Sequence, residues 1–468
     1  MKPLHPSTRI ILWTKYCIRG ALLAGLLLAS GCATNIPSKV TITTARAPAD
    51  APEPFLAGVG KFDITPSKPK GLIMGGFGWR KKAVGVKHRM YARALILERG
   101  SFKCALVAVP LTGLMRDSVE KIKAGIPDSV IKDNHLIIAS THSHSAPDTV
   151  GFWGVPFDGK DKTYMKEVAT GIRKALELAS ANMVPAEVGY GSQVFDATDF
   201  ISNKNIINLI DPELVVLDIR KASDHTPFAT LLEIACHPEA ARRPNKLLTP
   251  DFPHHAIAKV EAAFPGTTAI YVSGALGAMM SPQKKPGENT DGENMWPFVE
   301  RIGNKVGDTA VAAVRGIPSY DASPELGMWN RPVFLKNTNF KYKVLRCLGI
   351  SKRPVYRHTG IMNCLTGKVL SQYWKSEVNM WKVNDFRIAS VPGELTPDIG
   401  LLLKKESTGS TTMIVGLAND ELGYLLPERE ANMGYYSYER GLNINAGAGE
   451  HVRYELETLG RLSNTPPP

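Results

Sequence analysis

Short apolar runs alternate with amphipathic stretches along this chain of 468 residues, and no segment is repeated. Apolar runs that are rich in β-branched residues and bounded by turn formers predict strands, whereas an apolar period of about 3.6 residues predicts a helix. We therefore expect strands at 91–98, 103–109, 136–139, 214–219, 228–236 and 269–273, helices at 117–124, 162–180, 253–263 and 298–314, and regular structure again at 386–391, 399–404 and 411–415. Alternation without a repeat predicts an α/β or α+β fold, with a mixed β-sheet core flanked by helices.

Two histidines directly follow one of these predicted strands. The apolar run 136–139 continues into Ser140 and Thr141, and His142 and His144 come next. Because residues two apart in extended backbone project to the same face, both imidazoles can point into a cleft at the end of the strand. Neutral imidazole is the commonest metal ligand, so the pair favours a metal site. The alternative is that both are solvated loop histidines, hydrogen-bonded to nearby Ser and Thr side chains.

Three more apolar runs end in polar residues of the same kind. They lead to His237, Glu394 and Tyr424, and if their strands share a sheet, the strand ends converge on one pocket. Each residue also has a purely structural interpretation. His237 can be a hydrogen-bonded core histidine, Glu394 a carboxylate favoured near a helix N-terminus, and Tyr424 a core aromatic residue.

The first 31 residues have the composition of a secretory signal. A basic segment precedes the apolar run 21–28, which is too short to span a bilayer, and small residues follow up to Cys32. This ending resembles a bacterial lipobox, which predicts a signal peptide at 1–31 and lipidation of Cys32. The alternative is ordinary cleavage that leaves Cys32 as a free thiol. Residues 32–55 have the composition of a flexible tether.

A lipidated Cys32 predicts a location in the bacterial cell envelope. The residue after it, Ala33, is compatible with sorting to the outer membrane, facing the periplasm. The formal charge is +12, and removing the four basic residues of the leader leaves +8. No block of Lys and Arg alternates with aromatic residues as a nucleic-acid groove requires, so we expect no nucleic-acid partner.

Export also permits disulfide bonds. Cys104 and Cys236 fall in predicted buried strands and are expected to be core thiols, whereas Cys347 and Cys364 lie in a loop-rich region and are the pair that the sequence favours. That region, 318–380, carries many aromatic and basic residues with little periodicity. It is typical of an insertion or a lid over a site.

Taken together and in order, the motifs resemble the catalytic domain of the neutral ceramidases, also called neutral/alkaline non-lysosomal ceramidases. The resemblance covers about 58–449, within a predicted catalytic domain at 56–463. The matching stretches are Gly-x-Gly-x-x-Asp-Ile-Thr-Pro at 58–66, the strand at 91–94, Thr-His-Ser-His-Ser at 141–145, the strand that ends at His237, Pro-Gly-Glu at 392–394, Gly-Leu-Ala-Asn at 416–419, and Tyr424.

This resemblance implies a zinc site at the strand ends. Its ligands would be His142, His237, Glu394 and Tyr424, and His144 would face the substrate carbonyl. Two neutral imidazoles and one carboxylate leave zinc able to lower the pKa of a bound water to about 7, so that this water can attack an amide. His144 would then donate to the oxyanion of the tetrahedral intermediate.

The chain departs from the family pattern at a proposed catalytic serine. The family's Gly-Asp-Val-Ser-Pro segment corresponds to 274–282 here, where the Asp is absent and an extra residue shifts Ser281. Zinc-bound water can act without this serine.

The resemblance therefore implies a zinc-dependent amide hydrolase of the cell envelope that cleaves an N-acyl lipid such as ceramide and is held at the membrane by an N-terminal lipid anchor. The alternative is a non-catalytic envelope lipoprotein that binds lipid or glycan in the same pocket.

Overall fold

Two β-sheets packed face to face form the centre of the molecule, and helices cover the outer face of each. The computed structural model describes residues 34–48, 50–278, 280–357, 371–406 and 411–465. The predicted signal peptide, Cys32 and Cys364 lie outside these ranges, so the lipidation of Cys32 and the pairing of Cys347 with Cys364 stay predictions. The α/β class and the mixed sheets flanked by helices are confirmed.

The strands follow one another along the chain as β1 (Thr34–Asn35), β2 (Thr43–Ala47), β3 (Phe55–Asp63), β4 (Gly85–Val86), β5 (Tyr91–Arg99), β6 (Phe102–Val109), β7 (Leu136–Ser140), β8 (Val184–Val194), β9 (Ile201–Asn203), β10 (Glu213–Lys221), β11 (Pro227–Ile234), β12 (Leu247–Leu248), β13 (Thr268–Ser273), β14 (Met280–Pro282), β15 (Leu326–Lys336), β16 (Tyr356–Arg357), β17 (Tyr373–Val383), β18 (Phe386–Ser390), β19 (Glu394–Leu395), β20 (Thr412–Val415) and β21 (Tyr424–Leu425). The α-helices are α1 (Arg116–Lys123), α2 (Lys162–Ala181), α3 (Pro253–Ala263), α4 (Met295–Arg315), α5 (Phe340–Cys347), α6 (Pro397–Glu406), α7 (Glu428–Asn432) and α8 (Ala448–Ser463).

The first sheet has the strand order β13-β11-β10-β8-β3-β5-β6-β7 and is mixed, with parallel pairs β11–β13 and β6–β7. The second sheet has β17 at its centre, flanked by β15 and β18, and β20 pairs with β18 in parallel. The larger core lies between the two sheets. On β5, for example, Leu95 and Leu97 pack into this core, whereas Ala94 and Ile96 face the helical layer, as the period of two along a strand requires.

Helix α2 packs very closely on the first sheet, because β3 carries glycines beneath it. A Cβ atom at Gly60 would lie 2.0 Å from the carbonyl oxygen of Ala175, and one at Gly58 would lie 2.1 Å from that of Ala179. Helices α3 and α4 cover another part of the same sheet, and α8 packs on the outer face of the second sheet. None of the helices in the described ranges is both long and apolar enough to cross a membrane.

The structure corrects the expectation of a tether at 32–55. Strand β2 pairs with β15 along Thr43–Ala47, and the side chain of Arg46 donates hydrogen bonds to the carbonyls of Leu462 and Thr465. The backbone groups of β2 find their hydrogen-bond partners on β15, which is far away in the sequence. This part of the segment is therefore a strand of the second sheet.

The stretch 318–380 also contains regular structure that its sequence does not suggest. Strands β15 and β17 pair with each other along their whole length. Polar residues interrupt the apolar pattern of both strands, and their side chains form hydrogen bonds inside the fold. The side-chain amide of Asn330, for example, donates to the Asn379 side chain at 2.7 Å. Helix α5, in the same stretch, lies against the pocket described below through Tyr342 and Leu345.

Candidate metal centre

Four strand ends come together at the edge where the two sheets meet. Strands β7 and β11 belong to the first sheet, whereas β18 and β20 belong to the second, so the predicted convergence occurs but not within a single sheet. Backbone contacts join the edges. Ala139 forms a bridge with Ala418, and the Gly416 amide donates to the Ser273 carbonyl at 2.8 Å. The segments that follow β7, β18 and β20 therefore line one common cavity, and His237, which follows β11, is buried beside Glu394.

Two of the predicted ligands have their imidazole rings fixed by backbone carbonyls. His142 donates from Nδ1 to the carbonyl of Thr112, and His237 donates from Nδ1 to that of Met280 at 3.2 Å. A carbonyl can only accept, so the proton of each neutral ring is held at Nδ1 and the lone pair is left at Nε2. This is the arrangement found around metal-ligating histidines. The backbone of His142 has φ of 66°, a left-handed conformation that is unusual for a side chain of this size.

The free nitrogens converge on one carboxylate. Glu394 Oε2 lies 3.0 Å from His237 Nε2 and 3.5 Å from His142 Nε2, and all three side chains are buried. Burial alone would lower the pKa of His142, but the Glu394 charge raises it, to about 9. Burial would raise the pKa of Glu394, but the two histidines hold it well below its usual range. Such a group of lone pairs attracts either a proton or a metal cation.

His144 lies on the other side of His142, with its Nε2 atom 3.2 Å from the Nε2 atom of that residue. Gly76 makes its position possible, since a Cβ atom there would lie 2.5 Å from the Cβ atom of His144. The Nδ1 atom of His144 lies 3.2 Å from Oε2 of Glu239. Burial lowers the pKa of His144 to about 4, in spite of Glu239. The ring is therefore neutral near pH 7, with its proton at Nδ1 beside the carboxylate.

Glu239 is a residue that the sequence reasoning missed. It is 7% exposed and also accepts a hydrogen bond from the Ser281 hydroxyl. The structure thus places Ser281 behind Glu239, and the residues that line the cavity, all of them in the described part of the chain, do not include this serine. A usable signal was the spacing His237-x-Glu239, which repeats the spacing His142-x-His144.

Tyr424 lies beside Glu394, because β19 and β21 pair in parallel with these two residues in register. Its side chain lines the cavity, and burial, reinforced by the charge of Glu394, raises the pKa of its hydroxyl well above the usual value. Glu421, which the sequence analysis also missed, lies in the same wall. Burial raises the pKa of Glu421 to about 8, with a further contribution from Glu394.

The cavity itself has a volume of about 100 Å³ and joins the polar cluster to an apolar wall. This wall is formed by Met115, Val150, Phe152, Trp153, Leu345 and Leu442. The cavity therefore offers ionisable groups at one side and apolar contacts at the other.

The donor set fits a metal ion. One ligand atom from each of His142, His144 and His237 lies within 4.8 Å of the others, and all three residues are buried. Glu394 adds an oxygen near two of these nitrogens. Imidazole nitrogen and carboxylate oxygen together suit zinc and other first-row divalent metals. The structure thus brings all five predicted residues of the centre together.

A family model described as neutral/alkaline non-lysosomal ceramidase, N-terminal, matches residues 55–331, more than half of the chain. The chain belongs to the neutral ceramidase family. The resemblance found in the sequence motifs is therefore confirmed, and the family is one of hydrolases. The matched segment includes the three histidines, whereas Glu394 and Tyr424 follow it.

Individual relatives support the same family. The neutral ceramidase of Pseudomonas aeruginosa is 27% identical over 218 residues, which cover 42% of this chain and 32% of that protein. The chain thus aligns with about a third of this relative's length. The crystal structure of neutral ceramidase from P. aeruginosa matches with a TM-score of 0.70 at 19% identity, over 87% of this chain and 74% of that one. A ceramidase complexed with C2 gives a TM-score of 0.67 at 18% identity, over the same shares of the two chains. At these identities the structural matches establish the fold.

Proposed function

We propose that the chain is a zinc-dependent amide hydrolase that cleaves an N-acyl lipid such as ceramide. One observation carries the proposal. The Nε2 atoms of His142 and His237 both lie within 3.5 Å of the Glu394 carboxylate, at one side of a partly apolar cavity, where a metal cation can take the place of a proton. Membership of the neutral ceramidase family supports the reaction class.

In this proposal His142, His237 and Glu394 hold the zinc, and His144 and Tyr424 lie beside them. Bound zinc would supply a Lewis acid and lower the pKa of a water to about 7. Glu239 keeps the His144 proton at Nδ1, so Nε2 of His144 is a proton acceptor. This differs from the role as oxyanion donor that the resemblance implied.

His144 then accepts the proton of the attacking water as the carbon–oxygen bond forms. The resulting imidazolium is stabilised by Glu239, and it returns the proton to the amide nitrogen as the carbon–nitrogen bond breaks. The products are a carboxylic acid and an amine. The hydroxyl of Tyr424 keeps its proton, because its pKa is high, and can donate a hydrogen bond to the developing oxyanion.

The apolar wall favours an acyl chain over a polar peptide. Phe152 in this wall packs against Trp79, with ring centroids 5.1 Å apart, and the side chain of Trp79 is 61% exposed. Apolar contacts therefore continue from the cavity to the protein surface, where a lipid chain would enter.

Metal dependence and turnover test the proposal together. Zinc content is measured by mass spectrometry and amide cleavage with a fluorescent ceramide. We expect about one zinc per chain, loss of cleavage on chelation and recovery with zinc. His237→Ala should remove both zinc and activity, while His451→Ala, at a surface site with a 45% exposed side chain, should remove neither. Full activity in His237→Ala would contradict the proposal, and ceramide binding without zinc or cleavage would favour the non-catalytic lipoprotein.

We also propose that Cys32 is lipidated and holds the enzyme at the cell envelope, in the outer membrane facing the periplasm. The support is the leader sequence 1–31, which directly precedes Cys32. Incorporation of an alkyne-labelled fatty acid in a bacterial host tests this. Label in the intact protein and its loss in Cys32→Ser are expected, and equal labelling of both would refute the anchor.

A further inference from the structure

A second and larger cavity lies behind the strand that leads to the metal centre. Its volume is about 440 Å³, and its lining includes Thr141, the residue just before His142. The two cavities share no lining residue. The proposed hydrolase reaction therefore does not account for this cavity.

The lining is strongly cationic. It contains Lys61, Lys87, Arg89 and Arg93, and its carboxylate is that of Glu261. Arg93 forms an ion pair with Glu261, and Arg89 pairs with Asp63 next to the cavity. Two carboxylates thus balance two of the four cations.

The other two cations are the lysines. Within the described ranges, neither Lys61 nor Lys87 has a carboxylate at ion-pair distance. Their ammonium groups lie instead over aromatic rings, 4.3 Å from the centroid of Tyr91 and 4.7 Å from that of Trp296. Burial lowers the pKa of Lys61 and the positive charge of Arg93 lowers it further, although the charges of Glu261 and Asp63 oppose this.

One residue of the cavity lining, Thr141, carries a hydrogen-bonding group without a partner. The hydroxyl of Thr141 is buried and makes no hydrogen bond, although Thr141 is only 5% exposed. Arg93, also in the lining, is 7% exposed. A buried hydroxyl without a partner costs free energy that a hydrogen bond to a bound anion would recover.

We propose that this cavity binds a phosphate group carried by a small organic molecule or by a lipid. The two unpaired lysines match a dianion, and the Thr141 hydroxyl can donate to a phosphate oxygen. The volume exceeds that of a phosphate alone, and Pro250 and Ile257 in the wall provide contacts for an attached organic part.

Binding is measured by calorimetry on the mature chain at constant ionic strength. The soluble probes are inorganic phosphate and glycerol 3-phosphate. The lipid probe is a phosphatidylcholine vesicle that contains phosphatidic acid, with pure phosphatidylcholine vesicles as reference. The test variant is the double substitution Lys61→Met and Lys87→Met, and the control is Lys68→Met and Lys70→Met, which removes the same charge from lysines outside the cavity lining. Thr141→Val removes the hydroxyl alone.

We expect saturable binding that is at least about tenfold weaker in the Lys61/Lys87 variant, weaker in Thr141→Val, and unchanged in the control. Binding of the soluble probes would identify a soluble phosphate ester as the ligand class, and binding of phosphatidic acid vesicles alone would identify a lipid headgroup. Absence of saturable binding to every probe would overturn the proposal. So would an equal loss in the two double variants, because the effect would then be one of net charge.

Discussion

Glu377 on β17 is expected to be one of the most important single charges for stability, and replacing it by Gln tests this. Its carboxylate lies 3.4 Å from Lys123 Nζ and 3.3 Å from Arg116, and accepts a hydrogen bond of 2.7 Å from the side chain of Asn419. Burial alone would raise the pKa of Glu377, but Lys123 and Arg116 hold it at about 2. Compared with about 4.3 for an unfolded glutamate, this depression contributes about 3 kcal/mol to the free energy of unfolding at pH 7.

The sign of the pH dependence follows from the depressed pKa. The contribution is complete above the unfolded pKa and is lost as the pH falls towards the folded one, so it should shrink to about 2 kcal/mol at pH 3.5. Urea denaturation of wild type and Glu377→Gln at pH 7, 5 and 3.5 measures this. Glu120→Gln is the matched control, because Glu120 also pairs with Arg116 but its side chain is 50% exposed; it should cost less than about 0.5 kcal/mol. A difference for Glu377→Gln below about 1 kcal/mol at pH 7, or one independent of pH, would refute the reasoning.

Three further predictions concern the metal centre. Gly76→Ala should abolish activity because the new Cβ atom would lie 2.5 Å from that of His144. The control Gly71→Ala has a similar φ of 91° but no atom within 4 Å of the new Cβ atom, so it should only lower the melting temperature. Equal activity of the two variants would contradict this. Glu239→Gln should lower kcat about 10–100-fold with unchanged zinc content. Ser281→Ala should have a smaller effect, because Ser281 acts through its hydrogen bond to Glu239. A larger effect of Ser281→Ala in steady-state kinetics would show a direct role for the serine. Apparent zinc affinity, measured by chelator competition, should rise with pH up to about 9, because a proton on His142 competes with the metal. An affinity that does not change between pH 6 and pH 9 would refute this competition.

The candidate site was largely predictable because each of its main residues directly follows an apolar strand. This position made His142, His237 and Glu394 candidates, and the resemblance to the neutral ceramidases supplied their role as ligands. Glu239 was not a candidate, since a glutamate in a polar loop is normally solvated, and its burial depends on contacts with His144 and Ser281 that come from other parts of the chain.

The second sheet was harder to predict for a related reason. Strand β2 pairs with β15, so Thr44 lies opposite Trp329 although the two are distant in sequence. On β17, the charged Glu377 interrupts the apolar pattern, and its burial depends on tertiary contacts with Lys123, Arg116 and Asn419. Local periodicity carries no information about such partners.

The position of the metal centre at the junction of the two sheets has a mechanical consequence. His237 follows a strand of the first sheet and Glu394 follows one of the second, and the two residues are 157 positions apart in the chain. A cation shared by them would act as a reversible cross-link between the two halves of the domain. Withdrawal of the ion should then loosen the seam between the sheets, with faster hydrogen exchange along β7 and β20 than in the strands farther from the junction.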